Sequence, residues 1–120
     1  GKTVVYLPAR SIADMIYRAL EPEADFSLLR IEQDMRYIDL LVIDEFDKGG
    51  FDKSTFVHDV FFNVLNWRYE HRAWTAIAFN EIERAPPAML SRMNDGAWGD
   101  GSIGGVIPVT AKDQRPLNKR

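Results

Sequence analysis

Residues 40–50 of the chain read Leu-Leu-Val-Ile-Asp-Glu-Phe-Asp-Lys-Gly-Gly, so that four apolar residues run directly into two acids and a glycine break. An uninterrupted apolar run of this length predicts a strand that is buried on both faces, as in a parallel sheet flanked by helices. Asp44 and Glu45 then lie at the carboxyl end of that strand, where open α/β sheets bind ligands. In a plainer interpretation, the two acids form a turn and one of them caps the next element.

An apolar strand that ends in Asp-Glu is the Walker B arrangement of P-loop nucleotide hydrolases. In that chemistry the first acid holds Mg²⁺, usually through water, and the second orients or polarises the attacking water. A different class of protein is also compatible with these residues. A metal-dependent nuclease or phosphatase would use Asp44, Glu45 and Asp47 together as ligands of its metal ion.

The composition is that of an ordinary soluble domain. With 120 residues, 46% of them hydrophobic and 28% charged, the chain fits one domain with a substantial core. It has no cysteine, which excludes disulfides and thiolate metal sites. A net charge of −3 predicts no general affinity for nucleic acid. No apolar run approaches the roughly 20 residues that span a membrane, and no signal peptide is visible, so we expect a cytoplasmic protein without a membrane partner.

Strands alternate with helices along the chain, which predicts βαβ units and a parallel sheet. Strands are expected at residues 3–7, 39–43, 74–79 and 106–109, and helices at residues 11–20, 27–36, 55–70 and 86–93. The first helix is expected to begin at Ser11, with Asp14 three positions later completing a capping box. A glycine-rich loop at 94–105 and a basic tail at 112–120 complete the chain.

In this order of elements the chain resembles the AAA+ ATPase domain of DnaC-type replicative helicase loaders and of the related IstB-type transposition helpers. The resemblance covers nearly the whole chain. It rests on the Walker B segment at 38–45, the helix end at 66–70, the strand at 75–80, the arginine-bearing helix at 90–93 and, weakly, residues 113–115. It implies an α/β fold, a three-layer P-loop core with a mostly parallel sheet.

The chain departs from this family because the P-loop, G-x-x-x-x-G-K-S/T, is absent. Gly1, Lys2 and Thr3 match only its last residues, and the β-rich segment that follows reaches Pro8, whereas a P-loop lysine opens a helix. The resemblance therefore implies a single partial domain over residues 1–120, truncated at the N-terminus before the second strand of the family. We expect this chain alone to bind ATP poorly and to hydrolyse it undetectably.

The resemblance implies roles for four residues. Asp44 would help to hold Mg²⁺, and Glu45 would activate the water that attacks ATP. Asn80, at a strand end, would touch the γ-phosphate or position that water, although asparagine often serves only to end a strand in a turn. Arg92 would be an arginine finger that reaches the nucleotide of a neighbouring subunit in a homo-oligomer. Arg92 is otherwise a surface arginine that packs its stem, and Arg84 is a weaker candidate for the finger.

The implied activity is Mg-ATP turnover that times the loading or release of a DNA-acting partner. That partner is a replicative helicase or a transposase, and the residues do not choose between them. Contact with DNA, single-stranded, is expected to be weak or indirect. The alternative is a non-catalytic interaction module that has a P-loop fold but lacks a working nucleotide site.

Overall fold

The elements of the structure follow the alternation that the sequence predicts. A computed structural model of the protein describes residues 1–94. Its strands are β1 (Val4–Pro8), β2 (Leu40–Asp44) and β3 (Trp74–Ile77), and its helices are α1 (Ala9–Ala19), α2 (Leu28–Tyr37), α3 (Thr55–Glu70) and α4 (Pro87–Asn94). Single 3-10 turns lie at Phe46–Lys48, Phe51–Lys53 and Ile82–Arg84. The expected strand at 106–109, the glycine-rich loop and the basic tail lie outside the described residues.

The three strands form a parallel sheet in the order β1-β2-β3. Both connections therefore lead to the adjacent strand, and both move in the same direction across the sheet. Since crossovers between parallel strands are right-handed, successive steps in one direction put their helices on the same face of the sheet. The first connection contains α1 and α2 and the second contains α3, and these three helices contact one another. The helix layer described here thus covers one face.

Burial along β2 shows which face carries the core. Leu41 and Ile43 have no exposed surface, whereas Leu40 and Val42, which alternate with them along the strand, are only half-buried. The buried residues that pack in one cluster come from β2, the helices and the turns after β2, and include Ile12, Ile16, Phe46, Phe51, Val57, Phe61, Val64 and Met89. The predicted α/β class with a parallel sheet is confirmed. Within residues 1–94 the helices cover one face of the sheet, and the second helical layer of the predicted three-layer core is not seen. No helix in this range is long and apolar enough to cross a membrane.

The start of α1 differs from the prediction. The helix begins at Ala9, directly after the last residue of β1, and its N-cap is Pro8, which makes no capping hydrogen bond through its side chain. The capping box at Ser11 is therefore wrong. Pro8 has φ −63° and ψ 144°, which is extended backbone, and the proline ring prepares the chain for a helix that starts at once. For α2, by contrast, Ser27 accepts a hydrogen bond from the amide of Arg30, as a cap should.

Arg68 joins three elements at the amino end of the sheet. Its side chain has no exposed surface. Its Nη1 donates to the carbonyls of Met35 and Ile38, both at 2.8 Å, and its Nη2 donates to the carbonyl of Trp74 at 2.6 Å. Its Nε donates to Thr75 Oγ1 at 2.9 Å. Burial lowers the pKa of Arg68 to about 10, which still leaves the guanidinium charged at neutral pH.

Candidate functional site

Asp44 is the last residue of β2 and lies on the face of the sheet that the helices leave open. Leu41 and Ile43 point into the helix layer, so the alternation of the strand puts Asp44 on the opposite face. Its Oδ1 accepts a hydrogen bond from the amide of Glu45 at 2.8 Å, and its Oδ2 accepts one from the hydroxyl of Tyr6 on β1. The side chain is half-buried, so the carboxylate keeps access to solvent.

Glu45 adopts a left-handed backbone conformation, with φ 50° and ψ 49°. This region is uncommon for a residue other than glycine, asparagine or aspartate, and residues held in it concentrate at functional sites. The Glu45 carboxylate lies 3.6 Å from the ammonium of Lys48, and about half of the side chain, 49%, is exposed. The turn therefore presents a second carboxylate to solvent directly after Asp44.

Asp47 ties this turn to the end of β3. Its Oδ1 accepts a hydrogen bond from the amide of Asn80 and its Oδ2 accepts one from the amide of Glu81, both at 3.1 Å. Burial alone would raise the pKa of Asp47, but these two hydrogen bonds, together with the positive charge of Arg84, lower it overall. Asn80 is thereby held beside the turn that carries Glu45. It lies three residues beyond the end of β3, because that strand ends at Ile77 and not at the predicted residue 79.

Asp44, Glu45 and Asp47 are not arranged as a metal cluster in the described part of the chain. Both oxygens of Asp47 are engaged by backbone amides of the β3 loop. Within residues 1–94, no group of three or more histidine, cysteine, aspartate or glutamate side chains is arranged to hold a metal ion. Within residues 1–94 the structure therefore gives no support to the use of Asp44, Glu45 and Asp47 as joint metal ligands, as the nuclease or phosphatase hypothesis requires.

Asp44 and Glu45 nevertheless suit Mg²⁺ as part of a larger ligand set. Carboxylate oxygens are the ligands this hard cation prefers in proteins, and nucleotide enzymes hold it with one or two carboxylates, water and phosphate oxygens. The half-buried Asp44 carboxylate at the open face and the carboxylate of the next residue, Glu45, are two ligands of this kind. Water molecules or phosphate oxygens would supply the remaining ligands of the ion.

Arg92 lies away from these acids within the same chain. It is in the last turn of α4, where its Nη1 donates to the carbonyl of Ala88 at 3.3 Å. Its guanidinium is also 5.5 Å from the ring centroid of Tyr69. Tyr69 belongs to the last turn of α3, which leads into the amino end of β3, whereas Asp44 is at the carboxyl end of its strand. The fold therefore brings Asp44, Glu45 and Asn80 to the carboxyl ends of the strands. Arg92 lies near the amino ends.

Sequence reasoning missed two side chains of this site. The sequence pattern places Tyr6 only in a strand, and it suggests Asp47 only as a metal ligand. A local pattern could not have identified either role, because Tyr6 and Asp44 are 38 positions apart and Asp47 and Asn80 are 33 apart. The strand register, which the tertiary structure sets, pairs Tyr6 with Val42 and so puts the tyrosine close to the end of β2.

Comparison with known proteins finds a likeness of fold. No protein-family model matches the chain, and no curated protein matches its sequence. Among solved structures, the chain is similar to the crystal structure of a DNA replication initiation factor, with a TM-score of 0.59 and 18% sequence identity. The match covers 77% of this chain and 28% of that chain, so the chain spans little more than a quarter of that protein. At this identity the likeness concerns the fold alone, and it agrees with the α/β class and the parallel sheet described above.

Proposed function

We propose that the chain is part of an AAA+ protein that binds and hydrolyses ATP with Mg²⁺ and acts in DNA replication as a helicase loader. The observation that carries the proposal is the position of Asp44 and Glu45. Both are at the carboxyl end of the central strand of a parallel sheet, with Asn80 held at the end of the next strand. Open α/β sheets bind their ligands at this edge.

The residues divide the chemistry among them. The Asp44 carboxylate faces the open side of the sheet and would hold Mg²⁺. Glu45, exposed at the turn, orients the water that attacks the terminal phosphate, and the Asn80 amide hydrogen-bonds that phosphate or the water. Bound Mg²⁺ supplies charge neutralisation for the phosphates. Asp47 contributes by holding the backbone of Asn80 in place.

Arg92 serves a neighbouring subunit in this proposal. Its guanidinium lies toward the C-terminal end of α3, away from the acids of its own chain. An arginine in that position can complete the site of another copy and stabilise the charge that develops on the transferred phosphoryl group. The active form is then a homo-oligomer, in which each site takes residues from two subunits.

The biological partner is proposed from the resemblance and from the structural likeness together. Helicase loaders of the DnaC type act on a replicative helicase, and the similar solved structure is that of a DNA replication initiation factor. Both point to a role in DNA replication, where ATP turnover times the loading of the helicase. A transposase is the corresponding partner if the protein is a transposition helper. Contact with DNA is local, since the net charge of the chain is −3.

The test is ATP hydrolysis by the full gene product at saturating Mg-ATP. Glu45→Gln removes the group that activates water, and we expect kcat to fall by about 10²-fold or more. Nucleotide affinity should hold, because Glu45 does not bind the phosphates in this proposal. Glu83→Gln, the same change in an exposed turn after β3, is the matched control and should leave kcat unchanged.

Two results would contradict the proposal. Undiminished hydrolysis by Glu45→Gln would remove the assigned role of this acid. Failure of the full gene product to bind Mg-ATP at all would rule out the ATPase hypothesis and favour the non-catalytic interaction module. Co-purification of the full gene product with a replicative helicase would identify the helicase as its partner. Co-purification with a transposase would identify the transposase instead.

A further inference from the structure

Tyr6 is an exposed tyrosine whose hydroxyl reaches the carboxylate at the end of the neighbouring strand. Strand β1 pairs with β2 in parallel, with Tyr6 opposite Val42 and Pro8 opposite Asp44. Tyr6 and Asp44 are therefore diagonal neighbours on one face, one strand apart and two residues along, a separation of about 8 Å that a tyrosine side chain can bridge. The Tyr6 hydroxyl donates to Asp44 Oδ2, although 59% of the tyrosine is exposed.

The hydrogen bond is not needed to hold the two strands together. The backbone ladder pairs β1 with β2 along their whole length, from Val4 opposite Leu40 to Pro8 opposite Asp44. A tyrosine with this much exposed surface also contributes little to the core, which lies on the other face of the sheet. Its contact with Asp44 is thus a feature of the open face.

The two hydrogen bonds to Asp44 fix the orientation of its carboxylate and leave its charge in place. The Glu45 amide occupies one oxygen and the Tyr6 hydroxyl occupies the other, so the side chain cannot rotate freely. Each oxygen keeps a further lone pair. Both donors are neutral, and within residues 1–94 Asp44 makes no ion pair. The result is an oriented, uncompensated anion at the open face.

We propose that Tyr6 is a positioning residue for a divalent cation, because its hydroxyl holds the Asp44 carboxylate in the orientation that receives the ion. This inference rests on the proposed function and adds a residue to its cation site. Groups that hydrogen-bond to a metal-binding carboxylate orient it, and their removal typically weakens metal binding by about 10–100-fold. The direction of the Tyr6 pKa agrees with this geometry, since the hydrogen bond to Asp44 raises it and the charges of Asp44 and Glu45 add to the effect.

The test uses the 120-residue chain and Mn²⁺, a paramagnetic substitute for Mg²⁺ that broadens the NMR signals of nearby nuclei. The dissociation constant comes from the loss of the Asp44 and Glu45 amide signals as Mn²⁺ is added. We expect Tyr6→Phe to weaken binding about tenfold. Asp44→Asn should abolish the local broadening. Tyr37→Phe is the matched control, since Tyr37 is 70% exposed and contacts Trp67 through its ring, which phenylalanine retains.

A second measurement needs no variant to fold. The ¹³Cζ signal of Tyr6 in the unaltered chain should shift when diamagnetic Mg²⁺ is added, and that of Tyr37 should not. Equal Mn²⁺ affinity in Tyr6→Phe and the unaltered chain would overturn the proposal, and so would tighter binding, which would make the hydroxyl a competitor of the ion. If Asp44→Asn leaves the broadening unchanged, the cation site of the proposed function fails and the role of Tyr6 fails with it.

Discussion

Arg68 is a charged side chain with no exposed surface and no carboxylate bound to it in the part of the chain described here. Its partners are the carbonyls at the C-terminal end of α2 and at the start of β3, together with the hydroxyl of Thr75. Carbonyls at the end of a helix have no partner within the helix and carry its negative dipole charge, so a guanidinium there is favourable. The planar fork of arginine reaches several acceptors at once, which a single ammonium cannot.

We expect Arg68→Met to lower the free energy of unfolding by about 2–4 kcal/mol, because it leaves buried carbonyls without donors. Arg68→Lys should also destabilise the chain, by less, since lysine restores the charge but not the fork. Urea unfolding measures both changes. Arg10→Met, at an exposed position of α1, is the control and should cost little. If Arg68→Lys unfolds at the same urea concentration as the unaltered chain, the charge is sufficient and the fork is not required.

Two elements approach closely where the turn after β2 meets the start of α1. Gly49 is buried in that turn, and a Cβ at this position would lie 2.7 Å from the Cβ of Ala9 and 2.8 Å from Cε2 of Phe51. Both distances are shorter than carbon atoms tolerate. Ala9 is the first residue of α1, so its Cβ cannot move without the helix. The same turn carries Glu45 and Asp47, and its packing therefore supports the candidate site.

We expect Gly49→Ala to cost about 1–3 kcal/mol of unfolding free energy, which is typical of overpacking a close contact. Ala9→Gly removes the opposing methyl group. The double variant should therefore lose less stability than the sum of the two single changes, as urea unfolding of all four proteins would show. Strict additivity would mean that the two positions do not meet and would contradict the close approach.

Individual elements show how far local patterns carry. The bounds of α3 are those that its apolar periodicity predicts, and α2 begins one residue after its predicted start at Ser27, which caps it. Both depend on residues within a few positions of one another. The predicted start of α1 at Ser11 is wrong. Ser11 and Asp14 satisfy a local capping rule, but the chain passes from β1 into the helix at Pro8 without a side-chain cap. There the proline and the preceding strand, and not the capping pattern, decide where the helix begins.

In the molecule as a whole, the candidate site residues occupy opposite ends of the sheet. Asp44, Glu45 and Asn80 lie at the carboxyl ends of their strands, and Arg92 lies near Tyr69 toward the amino end of β3. One copy of the chain therefore does not join the acids to this arginine. If each subunit lends its arginine to the next, assembly and activity are inseparable.

This arrangement predicts complementation between two inactive variants of the full gene product. Arg92→Ala retains Glu45 but lacks the arginine, and Glu45→Gln retains Arg92 but lacks the glutamate. Each variant should therefore be inactive alone. In an equal mixture, about a quarter of the sites should combine the intact Glu45 of one subunit with the intact Arg92 of another. ATP hydrolysis of the mixture measures the recovery. Arg84→Ala in place of Arg92→Ala tests the other arginine, and a mixture no more active than its components would contradict a shared site.

The sequence was sufficient for the class of the fold, for the order of the elements and for the acids at the end of β2. These features follow from hydrophobic periodicity and from turn residues, which act over a few positions. The tertiary structure decided the partners of those acids. Tyr6 meets Asp44 and Asp47 meets the amide of Asn80 across 38 and 33 positions of chain. Such contacts exist only once strand register and the handedness of the crossovers have set which strand ends are neighbours, and no local pattern encodes that choice.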